Sequence, residues 1–238
     1  MPNHITSRLT ATGSPVAVKA FWEAISGDVD EDNAPILIDF NKIIPMPESL
    51  DIESGSRTRK GLELFQAFMV ESMAVSFTSL NNARSEAENA KSVLDLVDKY
   101  VKMADNDPEI FELGKQAYMN IEQYGVPTWY DWCYREWGTK WNAYGHERID
   151  DNTIEFQTAW GGVPELMEKM SAQHPGIEFD YMYADEDWGY NVGKYSFLNG
   201  ECTHEFVPEG GTPEAKAIAT DLVGDWETED EEEWEDEI

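Results

Sequence analysis

From His4 to Thr12 the chain alternates: Ile5, Ser7, Leu9 and Ala11 fall on one side, and His4, Thr6, Arg8 and Thr10 on the other. That period predicts a half-buried strand, because successive side chains of a strand point to opposite faces. Gly13 ends it, and the period changes. Ser14 can cap a helix with Pro15 at its first position, and Val18, Phe21, Trp22 and Ile25 then recur three and four apart. Gly27 stops that helix, and an acidic loop follows at residues 28–33. Residues 35–45 alternate again, with Ile36, Ile38 and Phe40 on one face, until Pro45 and Pro47 end the run. The expected unit is β-α-β.

Residues 57–124 change character. Leu62, Phe65, Met69 and Met73 recur at helical spacing, as do Val93, Leu96, Val97, Tyr100 and Val101. Asp107-Pro108-Glu109 restarts a helix carrying Phe111, Leu113, Tyr118 and Ile121, and Gly125 and Pro127 end it. The stripe from Leu62 to Met73 could line a hydrophobic groove, but a helix-packing face fits the pattern better. A segment with four tryptophans follows: Trp129, Trp132, Trp137 and Trp141. Beyond it, Ile154, Phe156, Thr158 and Trp160 alternate with polar residues, Pro164 opens a helix, and Ile177, Phe179, Tyr181 and Tyr183 alternate in turn. Residues 192–198 and 201–207 flank Asn199-Gly200, a strong hairpin signal. Thr212-Pro213-Glu214 starts a last helix.

Six strands are therefore expected, at 4–12, 35–45, 153–160, 177–183, 192–198 and 201–207, in one antiparallel or mixed sheet. The fold class is α+β: a ferredoxin-like sheet with helices on one face, a helical insertion in its middle and an acidic tail. The expected parts are a β-α-β portion at 1–56, the helical insertion at 57–127, the C-terminal ferredoxin-like portion at 128–224 and the tail at 225–238. Trp137, Trp141, Trp160, Phe156 and Phe179 are expected to be mostly buried, because large rings bury the most area per residue.

Composition sets limits on function. The 238 residues are 41% hydrophobic and 12% aromatic, which is ample for a packed core. Acidic residues number 48 against 17 basic, for a net charge of -31. Such a field repels phosphate backbones and anionic membranes, so neither nucleic acid nor membrane is an expected direct partner. Cys133 and Cys202 are the only cysteines, with no CxxC pair. That usage, the lack of an apolar run near the N-terminus and the lack of a membrane-length segment predict a soluble cytoplasmic protein.

Several stretches resemble the YubB-like family of ferredoxin-fold proteins encoded by phages and plasmids. They are Trp137-Gly138-Thr139-Lys140-Trp141, Phe156-Gln157-Thr158-Ala159-Trp160, and Tyr183 followed by Asp185-Glu186, Gly189 and Gly193. Met1-Pro2-Asn3 and residues 40–47 look like the family's other half. The resemblance covers about half of the chain. It implies the fold and a mobile-element origin, and it carries over no catalytic residue.

Candidate chemistry is sparse. Trp137, Trp141 and Trp160 could wall a pocket with Lys140 as its cation, although packing against the sheet is the commoner fate of such rings. Asp180, Asp185, Glu186 and Asp187 gather near one loop without the spacing of a calcium site. His4, His146, His174 and His204 are scattered, so no metal site and no cofactor is expected. No nucleophile elbow or phosphate loop occurs. Residues 225–238 are the sharpest feature: ten of fourteen are acidic, and without them the net charge is still -21.

These features predict a non-enzymatic protein that binds a basic, nucleic-acid-binding host protein, as in a host defence system, by presenting carboxylates in place of phosphates. The expected contacts are Asp180, Asp185, Glu186 and Asp187 on the body. On the tail they are Glu229, Asp230, Glu231, Glu232 and Glu233, with Trp226 and Trp234 as anchors. Two other readings stay open: a small-ligand or enzymatic module using the tryptophan-lined region, and an acidic structural or assembly protein.

Overall fold

The computed structural model describes residues 3–30, 33–82, 86–104 and 106–224. It forms two compact units, one built from residues 1–45 with 133–238, the other from residues 46–132.

The first unit holds a six-stranded sheet made of β1 (His4–Thr12), β2 (Tyr144–Arg148), β3 (Thr153–Ala159), β4 (Glu178–Asp185), β5 (Val192–Leu198) and β6 (Glu201–Phe206). The order is β2-β3-β1-β4-β5-β6, and every neighbouring pair is antiparallel. The first four strands, with α1 (Pro15–Ile25) and α7 (Pro164–Gln173), reproduce the split β-α-β arrangement of a ferredoxin-like fold. β1 alternates as expected, with Ile5, Ser7, Leu9 and Ala11 buried. The same face takes Ile154 and Phe156 from β3 and Phe179 and Tyr181 from β4.

Helix α1 seats Phe21 against Phe179, with ring centroids 4.8 Å apart. Its start is capped by the Ser14 hydroxyl, which accepts the Ala17 N–H at 3.3 Å, with Pro15 at the first helical position. At the start of α7 the Val163 N–H donates to the Tyr181 hydroxyl at 2.9 Å, and that hydroxyl is 2.9 Å from Ser7 Oγ. A further helix, α8 (Pro213–Val223), packs against the opposite side of the sheet, where Ala215, Ile218, Ala219 and Leu222 meet Ala184 and Val192. The hairpin at Asn199-Gly200 has φ of 53° and 81°, the two positive values that a tight two-residue turn requires.

One expected strand is absent. Residues 35–45 make no strand: Pro35 forms an isolated bridge with Val29, and a one-turn helix, α2 (Phe40–Ile43), follows. Asp39 stops the extended run by capping that turn, its carboxylate accepting the Asn41 N–H at 2.9 Å, while Asn142 Oδ1 accepts the Phe40 N–H at 2.8 Å. Both neighbours of β1 are already β3 and β4. The second strand of the ferredoxin-like unit is β2, more than a hundred residues further on. It is short and irregular, with Gly145 at φ 59° and a register shift between Tyr144 and Glu147, so its alternation is broken.

The second unit is helical: α3 (Ser56–Asn82), α4 (Glu86–Met103) and α5 (Pro108–Tyr124). Phe65, Leu96, Tyr100 and Phe111 form its core, so most of the stripe from Leu62 packs, whereas Met73 is exposed. α3 and α5 touch backbone to backbone at Gly61 and Gly114, where an added Cβ would lie 2.0 Å from carbonyl atoms of the facing helix. A short helix, α6 (Trp129–Glu136), falls within the tryptophan-rich segment.

Candidate functional site

The tryptophan-rich segment leaves α6 through Gly138, whose φ of 77° suits a left-handed helix end. Its N–H and that of Trp137 both reach the Cys133 carbonyl, at 3.1 and 2.8 Å. Thr139 is buried and pins the chain to the end of β3: its hydroxyl donates to the Ala159 carbonyl at 2.9 Å and accepts the Ala159 N–H at 3.2 Å. This clamp fixes Lys140 beside Trp160. The Lys140 ammonium lies 4.5 Å from the Trp141 ring centre and 5.0 Å from that of Trp160. Both are within cation–π range.

Trp137 does not join them. It is buried, packs edge-on to Phe40 at 5.8 Å, and donates its Nε1–H to the Ile44 carbonyl at 3.0 Å. It is a core ring, and the four expected pocket residues reduce to Lys140, Trp141 and Trp160. The expectation that Trp160 is buried fails in the opposite sense: it is 42% exposed. Its φ is 69°, a conformation a bulky L-residue adopts only at a cost of about 1–2 kcal/mol. The residue ends β3 at the turn into Gly161 and Gly162, so its ring leaves the alternation of the strand. Three neighbours hold the turn. The Trp160 N–H donates to the Asn3 carbonyl at 3.0 Å, Asn191 Nδ2 reaches the Trp160 carbonyl at 3.4 Å, and Thr158 Oγ1 donates to the Gly161 carbonyl at 2.7 Å.

Further aromatic residues extend the cluster. Tyr134 stacks on Trp160 at 6.1 Å and 17°, and Tyr144 lies 6.4 Å from Trp141. The Tyr144 hydroxyl is 2.8 Å from His4 Nδ1 and donates to the Thr158 carbonyl at 3.3 Å. Burial pushes the Tyr144 phenol above its ordinary pKa, and the nearby Glu186 carboxylate adds to that shift. Tyr134 and Tyr144 sit in the tryptophan-rich segment, but only pairing of β1 with β3 brings His4 to Tyr144.

The acidic residues separate into different roles. Asp180 is exposed on β4 and accepts the Ser196 hydroxyl at 2.6 Å. Glu186 and Asp187 are exposed in the following loop. Asp185 is 5% exposed and does not belong to a contact surface. Its Oδ1 accepts Asn3 Nδ2 at 3.1 Å and the Asp187 N–H at 3.0 Å, and its Oδ2 accepts Asn191 Nδ2 at 2.8 Å. A buried carboxylate must be paired in this way, and here it ties β4, its loop and the N-terminal segment together. Trp226, Glu229, Asp230, Glu231, Glu232, Glu233 and Trp234 lie outside the described residues.

Other sites are weaker. Among the described residues, no group of three or more His, Cys, Asp or Glu could hold a metal ion, and no helix is long and apolar enough to cross a membrane. Burial pushes the Cys133 thiol up to about 12, so it is no nucleophile at neutral pH. A groove of about 230 Å³ lies on the sheet beside α8, lined by Arg8, Asp180, Met182, Lys194 and His204. Arg8 there is already held by Glu155 at 2.7 Å and Asp221 at 3.0 Å.

No curated protein matches the sequence. Among solved structures, the crystal structure of a protein api92 from Yersinia pseudotuberculosis is similar, with 13% identity and a TM-score of 0.41 over 89% of this chain and 100% of that one. Residues 136–237 match a family described as the ferredoxin-like domain in Api92-like protein. That stretch contains β2 to β6 with α7 and α8, whereas β1, the strand between β3 and β4, lies outside it. The chain thus carries a ferredoxin-like domain, similar over residues 136–237 to the one found in Api92-like protein.

Proposed function

We propose that this is a non-enzymatic, cytoplasmic protein of a phage or other mobile element. It binds and blocks a basic, nucleic-acid-binding host protein by offering carboxylates where that partner expects phosphates. The mobile-element origin rests on the resemblance to the YubB-like family.

One observation carries the reading. The chain has 48 acidic and 17 basic residues, and its basic side chains are largely occupied. Arg8, Lys19, Arg57, Lys99, Lys115, Arg135, Lys169 and Lys194 each sit in an ion pair with a carboxylate, and Lys140, Arg148 and Lys216 lie over tryptophan rings. The excess acid is left facing solvent, at Glu178 and Asp180 on β4, at Glu201 and Glu205 on β6, and at Glu186 and Asp187. Duplex DNA carries one charge per about 1.7 Å of axis, and a dense carboxylate surface reproduces part of that field. Such a field steers a basic partner into contact.

Capture from a bacterial host lysate tests this, with the full chain and with a chain lacking residues 225–238. The expected captive is a basic DNA-binding protein that duplex DNA displaces. A surface replacing about six phosphates should lose affinity on the order of a thousandfold between about 50 and about 200 mM salt. Removing the tail should slow association. A captive that ignores both salt and competing DNA would sink the proposal.

A further inference from the structure

We propose that the outer face of α3 docks a second copy of this chain. The two α3 helices pack antiparallel about a two-fold axis at the level of Ser72. The proposal stands apart from the acidic-surface reading and would survive its failure.

Three observations support it. The first is exposure. Phe65, Phe68, Met69 and Val75 turn inward to the core of the helical unit, whereas Ala67, Val70, Met73, Ala74 and Phe77 are exposed. Val70 is 71% exposed, Met73 61% and Phe77 70%. Ala67, Val70, Ala74 and Phe77 recur at intervals of three, four and three, the spacing of a seam between two helices. A contiguous apolar strip of this kind marks a contact surface.

The second is charge. Charged residues make up 27% of the chain, yet residues 64–82 hold one, Glu71, and Lys99 pairs with it at 2.6 Å. With a net charge of -31, two copies repel over most of their surfaces and can approach closely only where acid is missing. A basic partner gains nothing from a neutral strip and is steered to the carboxylates elsewhere. The strip therefore fits a partner that shares the charge of this chain.

The third is the order of small and large side chains, which selects a copy of the same helix. Ala67 and Phe77 are equidistant from Ser72, and so are Val70 and Ala74. In an antiparallel pair each large side chain meets an alanine of the other copy, and the two surfaces interdigitate. A parallel pair would set Phe77 against Phe77, leave a gap between the two Ala67 and bring the two exposed Glu63 together. In the antiparallel pair the two Glu63 are about 27 Å apart along the axis, at about 1.5 Å per residue, far beyond the screening length of about 8 Å. Two copies covering this strip would bury on the order of 1,000 Å², the low end for a specific contact, so the expected Kd is about 1–100 µM.

The test is sedimentation equilibrium of the full chain from about 1 to about 300 µM, a range that brackets that Kd. A reversible monomer–dimer equilibrium is expected at physiological salt. Raising salt to about 500 mM should tighten it about threefold or more, because the repulsion between copies is screened. Phe77→Gln and Val70→Gln should each weaken it about tenfold or more at unchanged helical circular dichroism, since both side chains are exposed in the monomer. In a Cys202→Ser background, Val70→Cys chains mixed with Ala74→Cys chains should air-oxidise to a mixed disulfide faster than either chain links to itself. A chain that stays monomeric up to about 300 µM overturns the proposal. So does dimerisation that the glutamines leave unchanged, that salt weakens, or that links Val70→Cys chains to one another first.

Discussion

His174 caps the C-terminal end of α7 and sets its ring edge-on to Phe21, 4.9 Å between centroids. Burial pushes its pKa below 6.5 because the charged imidazolium would lose its hydration there. His146 is lowered for the same reason, against smaller opposing pulls from a hydrogen bond with the Ala143 backbone and from the Asp30 and Asp39 carboxylates. The sign follows directly. The unfolded chain takes up these protons first, so the stability that neutral histidine provides is complete above pH 6.5 and is lost as pH falls through the lower folded value. Thermal melting should fall between about pH 7 and about pH 5, above the range where most carboxylates titrate. His174→Gln should remove part of that slope, and an unchanged slope would mean that the ring is not buried.

Within the helical unit, the crossing of α3 and α5 is set by a close backbone contact. Gly61 of α3 and Gly114 of α5 let two backbones meet, and no side chain fits between them. Gly114→Ala should force the helices apart and destabilise the unit by about 1–3 kcal/mol, as overpacking does, despite the better helix propensity of alanine. Gly55→Ala is the control. Its Cβ would lie 3.5 Å from the nearest atom, a Glu53 carboxylate oxygen. Helical circular dichroism through a denaturant series separates the two. Equal midpoints would show that the crossing has room to relax.

At the scale of the whole molecule, β1 joins the sheet together. It is the neighbour of both β3 and β4, and seven residues of β1 pair with β3 and eight with β4. The stretch that matches the Api92-like family lacks it. A chain beginning at residue 133 would leave two unpaired strand edges, with Ile154, Phe156, Phe179 and Tyr181 deprived of Ile5 and Leu9. Such a fragment should aggregate or remain unfolded in isolation. Supplying residues 1–45 as a separate chain should restore part of the fold. Cooperative melting of the fragment alone would show that β1 is dispensable.

What the sequence determined by itself was local. The period of two in β1, β3 and β4, the caps at Ser14 and Thr212, Pro164 at the start of α7 and the Asn199-Gly200 turn all act within a few residues, and each appears where its chemistry predicts. The α+β class and the net charge were readable on the same terms. The tertiary structure decided which strands become neighbours and which rings are core. Residues 35–45 alternate like a strand, yet Asp39 and Asn142 cap a turn there and β2 takes the second-strand role. Trp137 and Trp160 look alike in sequence, but one meets Phe40 and the Ile44 carbonyl while the other sits at a left-handed turn in solvent. Asp185 reads as one more surface acid until Asn3 and Asn191, distant in sequence, supply its partners. Each of these outcomes turns on a contact made across many residues, and a pattern read a few residues at a time does not contain it.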